Sequence, residues 1–518
     1  MMCDLILNPK APKHKVMSSF QQLACPQNLL STLQSVRQQV LDEGHSTFSK
    51  WQPHIQRSEF LSSALNLACY LALRHHDLRE IQLALMPWGL SSLGRIESRV
   101  LPNLDAVIAT LESLCGQEHP HLPHIESFFE GNRLLQLHTD ELFGPPPLPR
   151  RRVRIMVTLP TEAASDYSLV RDIIKRGANC LRINCAHDDP QIWLKMITQI
   201  QKAKVELARS CKLMMDLAGA KIRTIDVLTP IAKNRVFRED LILLSRQQPG
   251  LHKAELELDN FQIYCSNPEV LEQLKINSLV YIDDGKICTK VIDTDYLFPD
   301  KQKGLLLQVT QTRPKGVKLQ SQKGLNFPGT RICLSPLSDK DLSDLDFVAR
   351  YADIIGYSFV QNPADIELLQ QELSKRKVKK MPAIVAKIET ATAVRNLPEL
   401  IVHAAGKQSF GVMIARGDLA VEIGYQRLTE IQEEILWLCE AANIPVIWAT
   451  QVLESLVKNG APSRSEMTDA AMSQRAECVM LNKGPFLCEA ITILNDVLSR
   501  MEAHQLKKTP QLRALHSW

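Results

Sequence analysis

One lysine and two acidic residues stand shortly after apolar segments of the chain. Lys387 and Glu389 follow the apolar run 382–385, and Asp418 follows the run 410–414. Uncharged runs of this kind are typical of strands buried on both faces of a parallel sheet. The carboxyl ends of such strands form one rim of a (β/α)8 barrel, where catalytic side chains lie. An ammonium and two carboxylates at one rim suit a phosphorylated, anionic substrate held on a divalent metal ion.

The elements that would position these residues recur at a near-regular step. Strand-like segments alternate with amphipathic helical patterns, among them 167–176, 191–207, 365–376 and 428–442. Eight such units fit a closed (β/α)8 TIM barrel of the α/β class better than an open doubly wound sheet. The predicted strands are 153–159, 180–185, 212–217, 354–360, 382–388, 410–415, 445–450 and 478–481.

A long segment between the third and fourth predicted strands interrupts this step. Residues 222–326 are rich in β-branched residues and turn signals, as in the stretch 279–287. We predict that this segment forms a small β-barrel domain, inserted in a loop at the catalytic rim. It would act as a lid that closes over a substrate and excludes water.

The residues before the barrel have helical periodicity and no strand signals. We predict an all-α N-terminal domain that serves packing or assembly, joined to the barrel by a stiff, proline-rich linker. The predicted limits are 1–144 for the helical domain, 145–152 for the linker, 153–221 and 327–505 for the barrel, 222–326 for the lid and 506–518 for a C-terminal tail.

Three histidines of the helical region stand close together in the sequence, as the ligands of a metal site can. They are His119, His121 and His124. Pro120 and Pro123 make this segment an extended loop, and no cysteine or carboxylate stands at ligand spacing. We therefore expect no metal ion there.

Composition excludes several classes of function. The 518 residues exceed the roughly 250–300 at which a single core stops growing. A net charge of +4 is too mild to indicate nucleic acid or a membrane surface as partner. No apolar run approaches the roughly 20 residues that span a bilayer. The 13 cysteines are scattered, without a C-x-x-C pair or a secretory signal, so we expect reduced thiols and a cytoplasmic location.

Six motifs along residues 153–501 resemble those of the pyruvate kinase family. One of them alone would be weak evidence, whereas six in the family's order along an interrupted barrel are specific. They are Leu-Arg-Ile-Asn at 181–184 with His187, Met-Asp at 215–216 with Ile-Arg-Thr at 222–224, Lys-Gly-Leu-Asn-Phe-Pro-Gly at 323–329, Lys-Ile-Glu at 387–389, Ala-Arg-Gly-Asp-Leu at 415–419 and Ala-Thr-Gln-Val-Leu-Glu-Ser at 449–455.

The resemblance implies transfer of the phosphoryl group of phosphoenolpyruvate to ADP, which gives pyruvate and ATP. Glu389 and Asp418 would hold Mg²⁺. Lys387 would lie against the transferring phosphoryl group and the enolate oxygen, where a fixed ammonium stabilises developing charge. Arg182 would clamp the phosphoryl group with its planar guanidinium.

The remaining roles are also implied by the resemblance. Backbone N–H groups of Gly417 and the following Asp418, at a helix start, would bind the substrate carboxylate. Thr450 would lie on the enolate face that receives a proton. His187 and Arg223 would face the nucleotide phosphates, and Asp283 on the lid would approach the metal or the substrate on closure.

Two departures from the family concern its potassium site. The family uses an Asn, a Ser, an Asp and a Thr carbonyl; Asn184 and Asp216 match, Leu217 still offers a carbonyl, and Ala186 replaces the Ser. One ligand is therefore lost. Family members that need no monovalent cation carry Lys at the position of Lys221, where an ammonium can replace the charge of the ion. We expect Mg²⁺-dependent, potassium-independent catalysis.

Other departures concern the nucleotide and the C-terminal side. Residues 158–161, 218–220 and 482–485 differ from the family's pattern, which leaves the acceptor nucleotide open. The chain ends soon after the last predicted barrel helix, so we expect neither the family's C-terminal domain nor the sugar-phosphate effector site that it carries. Phosphoenolpyruvate, ADP and ATP are the implied partners, and we expect a homo-oligomer.

Two other functions remain open. One is a catalytically impaired regulatory protein that retains the phosphoenolpyruvate pocket. The other is a different barrel enzyme acting on enolates, such as a Mg²⁺-dependent lyase, against which the lid insertion argues. Each rim residue also has a plain structural interpretation: Lys387 and Glu389 as an ion pair, Asp418 as a helix cap, and Arg182 in a salt bridge.

Overall fold

Five helices precede the barrel in the computed structural model, which describes residues 23–146, 151–230, 233–246, 260–297, 303–330, 332 and 334–511. Apolar residues at helical spacing bury one face of the first helix, among them Leu29, Leu33 and Val36. The helices are α1 (Pro26–Trp51), α2 (Leu61–Leu73), α3 (Arg79–Leu85), α4 (Val100–Leu114) and α5 (Ile125–Phe143).

Eight parallel strands, interrupted by an inserted sheet, close into a barrel. In chain order the strands are β1 (Arg154–Thr158), β2 (Cys180–Asn184), β3 (Lys212–Asp216), then β4 (Thr224–Leu228), β5 (Leu241–Ser245), β6 (Phe261–Cys265), β7 (Leu279–Ile282), β8 (Ile287–Leu297), β9 (Lys303–Thr312) and β10 (Leu325–Asn326) of the insertion, and β11 (Ile354–Tyr357), β12 (Ala383–Ile388), β13 (Phe410–Ala415), β14 (Val446–Ala449) and β15 (Cys478–Leu481). The barrel order is β1-β15-β14-β13-β12-β11-β3-β2. The predicted (β/α)8 barrel is confirmed.

Helices follow the barrel strands. They are α6 (Tyr167–Lys175), α7 (Pro190–Glu206), α8 (Asp339–Tyr351), α9 (Pro363–Lys375), α10 (Ala391–Arg395), α11 (Leu397–Ala405), α12 (Arg416–Ile423), α13 (Tyr425–Ala441), α14 (Glu454–Asn459), α15 (Arg464–Met472) and α16 (Leu487–Glu502), followed by a hairpin of β16 (Gln505–Leu506) and β17 (Thr509–Pro510). Polar side chains fix where several of them begin. The Asp189 carboxylate accepts a hydrogen bond from the backbone N–H of Gln191 at the start of α7. Ser338 and Asp341 form a capping box on α8.

The described residues of the insertion form a seven-stranded sheet in the order β10-β7-β8-β9-β5-β6-β4. Its two edges meet, because Thr224 donates its backbone N–H to the carbonyl of Lys323 and Leu325 donates to the carbonyl of Ile222, each at 2.8 Å. The sheet therefore closes around an apolar core of its own, as predicted for a β-barrel lid.

The end of α5 closes the amino-terminal end of the barrel. Leu142 and Phe143 are buried, and a Cβ on Gly411 of β13 would lie 2.5 Å from Cδ2 of Leu142. The glycine is therefore needed for this close approach. The same apolar cluster contains the first residues of four barrel strands, Cys180, Ile354, Ala383 and Cys478. The helical region thus supports the barrel at the end opposite to the rim that carries Lys387 and Glu389.

Strands β1, β2, β3 and β14 end one residue, and β11 three residues, before the limits that their runs predict. The run 354–360 forms β11 only to Tyr357, and the run 445–450 forms β14 only to Ala449. Phe359 and Thr450 have positive φ angles of 56° and 66°, and a left-handed backbone conformation cannot continue a strand.

The predicted domain limits remain a prediction. At the end of the proposed linker, Arg151 is buried and donates hydrogen bonds to the carbonyls of Val153 and Gly177. The chain is therefore already fixed to the barrel at that residue. Within the described part of the chain, no helix has the length and apolar character needed to cross a membrane.

Candidate active site

Three oxygen atoms surround the Lys387 ammonium at the carboxyl ends of neighbouring strands. Its Nζ lies 3.0 Å from Oε1 of Glu389 and 3.5 Å from Oδ2 of Asp216. It also donates a hydrogen bond to Oγ of Ser358 at 2.7 Å. Lys387 lies on β12, Ser358 follows β11, and Asp216 ends β3. These three strands are adjacent in the barrel, so closure of the sheet brings the residues together.

The Arg182 guanidinium is held beside the same carboxylate. Its Nε donates to Oδ2 of Asp216 at 3.0 Å, its Nη2 bonds the same oxygen, and its Nη1 donates to Oγ1 of Thr158 at 3.0 Å. The second oxygen of Asp216, Oδ1, is buried and has no hydrogen-bond partner among the described residues. A Cβ on Gly356 would collide with that oxygen. The cations are therefore arranged around one fixed, buried acid.

Electrostatics keep this cluster charged at neutral pH. Burial alone would lower the pKa of Lys387, but the charges of Asp216 and Glu389 outweigh it and raise the pKa. Burial would likewise raise the pKa of Asp216, but Lys387 and Arg182 reverse the effect and lower it. The site therefore holds a charged ammonium beside a charged, buried carboxylate.

Glu389 and Asp418 form a neighbouring pair of carboxylates. Oε2 of Glu389 accepts the backbone N–H of Phe359 at 2.7 Å, and Oδ1 of Asp418 accepts from Nζ of Lys221 at 2.7 Å. Burial raises the pKa of Glu389, and the charge of Asp418 raises it further. Two like-charged carboxylates that are buried close together suit a hard divalent cation with oxygen ligands. The residues present therefore fit Mg²⁺.

The segment after β14 is bound to the start of α12. The backbone N–H of Gly417 donates to Oγ1 of Thr450 at 2.9 Å. Arg416 donates to the carbonyls of Ala449 and Thr450, at 3.0 and 2.7 Å, and its guanidinium stacks 4.5 Å from the ring centroid of Trp448. These contacts fix the left-handed conformation of Thr450. Its hydroxyl is thereby held at the helix start.

The candidate residues of the potassium site have partners within the protein. Oδ1 of Asn184 accepts the backbone N–H of Ala186 at 3.1 Å, and the carbonyl of Leu217 accepts from Oγ of Ser358 at 2.9 Å. The Lys221 ammonium is directed to Asp418 rather than to these atoms. Burial lowers the pKa of Lys221, but Asp418 and the lid residue Asp284 more than offset this, so the pKa is raised.

Lys221 also joins the lid to the rim. Its Nζ lies 3.3 Å from Oδ1 of Asp284, and a Cβ on Gly324 would lie 2.5 Å from its Cε. Gly324 thus leaves the space in which the lysine passes. Asp283 is bound within the lid, since its nearest charged partners among the described residues are Lys286 at 2.7 Å and Lys323 at 3.6 Å.

A second group of cations lies around His187. Burial lowers the pKa of His187, and the charges of Lys483, Arg223 and Arg182 act in the same direction. Each of these three cations therefore lies near His187. The sequence predicts that His187 and Arg223 face the nucleotide phosphates, whereas Lys483 belongs to a segment that departs from the family's pattern.

A comparison with known protein families matches residues 150–490 to the barrel domain of pyruvate kinase. The chain belongs to the pyruvate kinase family.

Known pyruvate kinases are 26–29% identical to this family member over the parts that align. The pyruvate kinase of Dictyostelium discoideum is 29% identical over 360 residues, which are 68% of this chain and 66% of that protein. Pyruvate kinase 2 of Synechocystis sp. is 28% identical over 367 residues, 70% of this chain and 58% of that protein. The crystal structure of a pyruvate kinase from Cryptosporidium parvum aligns with a TM-score of 0.59 at 26% identity, over 70% of this chain and 72% of that one. The chain thus spans 58–66% of the length of the two curated relatives.

Sequence reasoning missed three residues of this pyruvate kinase barrel. Ser358 accepts a hydrogen bond from Lys387 and donates one to the carbonyl of Leu217, just after β3. It comes directly after the buried strand β11. Arg416 was read only as part of a motif. Lys483 was read only as a substitution. The position of Ser358 after a buried strand was the signal available for it.

Proposed function

We propose that the protein transfers the phosphoryl group of phosphoenolpyruvate to ADP, with Mg²⁺ and without a requirement for potassium. The observation that carries the proposal is the cluster in which Lys387 lies close to Glu389 and Asp216, while Arg182 donates to the same oxygen of Asp216 that Lys387 approaches. Two fixed cations beside a pair of acids match the charges of a metal-bound enol phosphate. Membership of the family gives the same substrate class.

In the proposed reaction, the bond between the enol oxygen and phosphorus breaks and a bond to the terminal phosphate of ADP forms. Arg182 binds the phosphoryl oxygens through its planar guanidinium. Lys387 stabilises the negative charge that develops on the enolate oxygen, and its fixed position means that no reorganisation is needed. Mg²⁺, when bound by Glu389 and Asp418, supplies charge that neutralises substrate oxygens.

The enolate then takes a proton on carbon to become pyruvate. Thr450 is the residue we propose on the receiving face, since its hydroxyl is held beside the start of α12. The backbone N–H groups of Gly417 and Asp418 at this helix start bind the substrate carboxylate, and for this the N–H of Gly417 exchanges its hydrogen bond to Oγ1 of Thr450 for one to the substrate. Arg416 acts as a positioning residue, because it holds the carbonyls of Ala449 and Thr450.

The charge balance supports independence from potassium. Each of the three acids has a resident cation: Asp216 pairs with Arg182 and Lys387, Glu389 pairs with Lys387, and Asp418 pairs with Lys221. The proposed role of Lys221 is to supply a positive charge at the metal-binding acid, while Ala186 removes one oxygen from the potassium ligands.

On the nucleotide side, we propose that His187, Arg223 and Lys483 bind the phosphates of ADP. A cytoplasmic location and assembly as a homo-oligomer remain part of the proposal. The cysteines that the structure describes are all free thiols, which agrees with a reducing compartment.

Turnover of purified protein tests the function. The protein is incubated with phosphoenolpyruvate, ADP and Mg²⁺ in buffer free of potassium and sodium, and pyruvate is followed over time. Pyruvate formation at a rate proportional to enzyme supports the proposal. Thermal stabilisation by phosphoenolpyruvate without pyruvate formation would replace it with the regulatory, substrate-binding alternative.

A further inference from the structure

Two histidines and a glutamate meet where the N-terminal helical region contacts the barrel. His54 lies shortly after α1, Glu367 lies on α9, and His403 lies on α11. Their ligand atoms, one from each side chain, all lie within 4.8 Å of one another. Among the residues that the structure describes, no other three His, Cys, Asp or Glu side chains are grouped in this way.

One pair of these ligand atoms already has the spacing of a coordination shell. Nδ1 of His403 lies 3.1 Å from Oε1 of Glu367. Two ligands of a tetrahedral zinc ion with bonds of about 2.0–2.1 Å lie roughly 3.3 Å apart. The rings of His54 and His403 lie 4.2 Å apart between centroids and are tilted by 31°. Two imidazoles and one carboxylate are a ligand set that Zn²⁺ uses, with water in the fourth position.

The backbone beside His54 is fixed to the barrel independently of these side chains. Gln56 and Arg57 donate their backbone N–H groups to the carbonyl of Gly406, at 2.7 and 2.9 Å. A Cβ on Gly406 would lie 3.2 Å from the carbonyl oxygen of His54, so this glycine allows the two chain segments to approach. The three ligands are therefore held together by the fold before any ion binds, which reduces the ordering that binding requires.

The local charges favour a cation. His403 is 8% exposed, and without an ion its Nδ1 donates a hydrogen bond to Oε1 of Glu367, so that a metal ion bound there would displace that proton. Glu367 adds a negative charge, which the ammonium of Lys407 offsets only from 3.8 Å. Glu399, one helical turn before His403, is held by Nε1 of Trp51 at 2.9 Å and adds further negative charge.

We propose that His54, Glu367 and His403 bind one divalent transition-metal ion of the Zn²⁺ type. The ion joins the segment after α1 to helices α9 and α11, and so fastens the helical region to the barrel. The site is separate from Glu389 and Asp418, whose oxygen ligands suit Mg²⁺.

Zinc binding to the full-length protein tests the site. Chelator-treated protein is titrated with Zn²⁺ in excess Mg²⁺, against a chromophoric competitor. We expect one ion per chain. His54→Asn and His403→Asn should each weaken binding by more than the roughly 10–100-fold lost when an outer-shell partner of a metal ligand is removed. His75→Asn is the matched control, since His75 is an exposed histidine that also lies 3.1 Å from a glutamate, Glu43, and this variant should bind as the wild type does.

Two further readouts locate the ion. Co²⁺ in place of Zn²⁺ should give the visible absorption of a tetrahedral nitrogen and oxygen site without a thiolate band. Hydrogen exchange of the Gln56 and Arg57 amides should slow by about 100-fold at a free Zn²⁺ concentration of about 100 times Kd. Unchanged Zn²⁺ affinity in His54→Asn, which alters an exposed side chain, would overturn the proposal. So would an absence of binding, a thiolate band, or Zn²⁺-insensitive exchange at these two amides.

Discussion

Glu422 provides a test of the electrostatics between lid and barrel. It lies one helical turn after Asp418 on α12 and lines a cavity of about 90 Å³ with Lys221, Asn326 and Phe359. Burial raises the pKa of this carboxyl from 4.5 to about 7. The folded protein therefore binds this proton more tightly than the unfolded chain does, so that stability falls as the pH rises from about 4.5 to 7.

The magnitude follows from that shift. Between the two pKa values of 4.5 and about 7, each unit corresponds to about 1.4 kcal/mol, so the ionised Glu422 costs at most about 3 kcal/mol above pH 7. Glutamine keeps the shape of the protonated acid without the charge. We expect Glu422→Gln to unfold at higher urea than the wild type at pH 8. The difference in unfolding free energy between the two proteins should shrink by about 2.5 kcal/mol at pH 5.

Urea unfolding of both proteins at pH 5 and pH 8, followed by circular dichroism, measures this difference. Glu434→Gln on the neighbouring helix α13 is the control, because Glu434 is exposed and its removal should give no pH-dependent change. A Glu422→Gln difference that is the same at both pH values would refute the reasoning. So would a variant that is less stable than the wild type at pH 8.

Three further changes test the site. The double variant of Lys221→Glu and Ala186→Ser restores the residues of the family's potassium site. Turnover of this variant should rise at least about tenfold when potassium is added, whereas wild-type turnover should not change. Equal rates with and without the ion would contradict this. Gly324→Ala places a Cβ 2.5 Å from Cε of Lys221. Because this atom is near the flexible end of the side chain, the lysine should move away from Asp418, and turnover should fall while the unfolding free energy in urea changes by less than about 1 kcal/mol. Unchanged turnover would contradict this. Arg416→Lys removes the planar guanidinium that donates to the carbonyls of Ala449 and Thr450. It should lower kcat more than it raises KM for phosphoenolpyruvate. An unchanged kcat would show that Arg416 does not position Thr450.

The barrel and its rim could be predicted because local pattern and topology agree there. Buried parallel strands require uncharged runs, and the polar residues that follow shortly after each run lie at the rim. This rule predicts the rim positions of Lys387, Glu389 and Asp418 from the sequence alone. Ser358 was missed because its run was extended to residue 360, whereas the left-handed Phe359 ends the strand sooner.

Contacts between distant segments could not be read in the same way. Leu142 and Phe143 are ordinary apolar residues at a helix end, and only the closed barrel gives them a cavity to fill. His54 and His403 stand far apart in sequence and at no motif spacing, so their approach depends on how the helical region packs. The direction of Lys221 toward Asp418 was equally hidden, since it depends on the space left by Gly324.

Turnover of Lys387→Met tests the central claim most directly. The variant removes the ammonium that lies 3.0 Å from Glu389 and 3.5 Å from Asp216, and Lys375→Met, which changes an exposed lysine on α9, is its control. With phosphoenolpyruvate, ADP and Mg²⁺, we predict that Lys387→Met loses at least about 100-fold in kcat, while Lys375→Met turns over at the wild-type rate. Pyruvate formation by Lys387→Met at the wild-type rate would contradict the account.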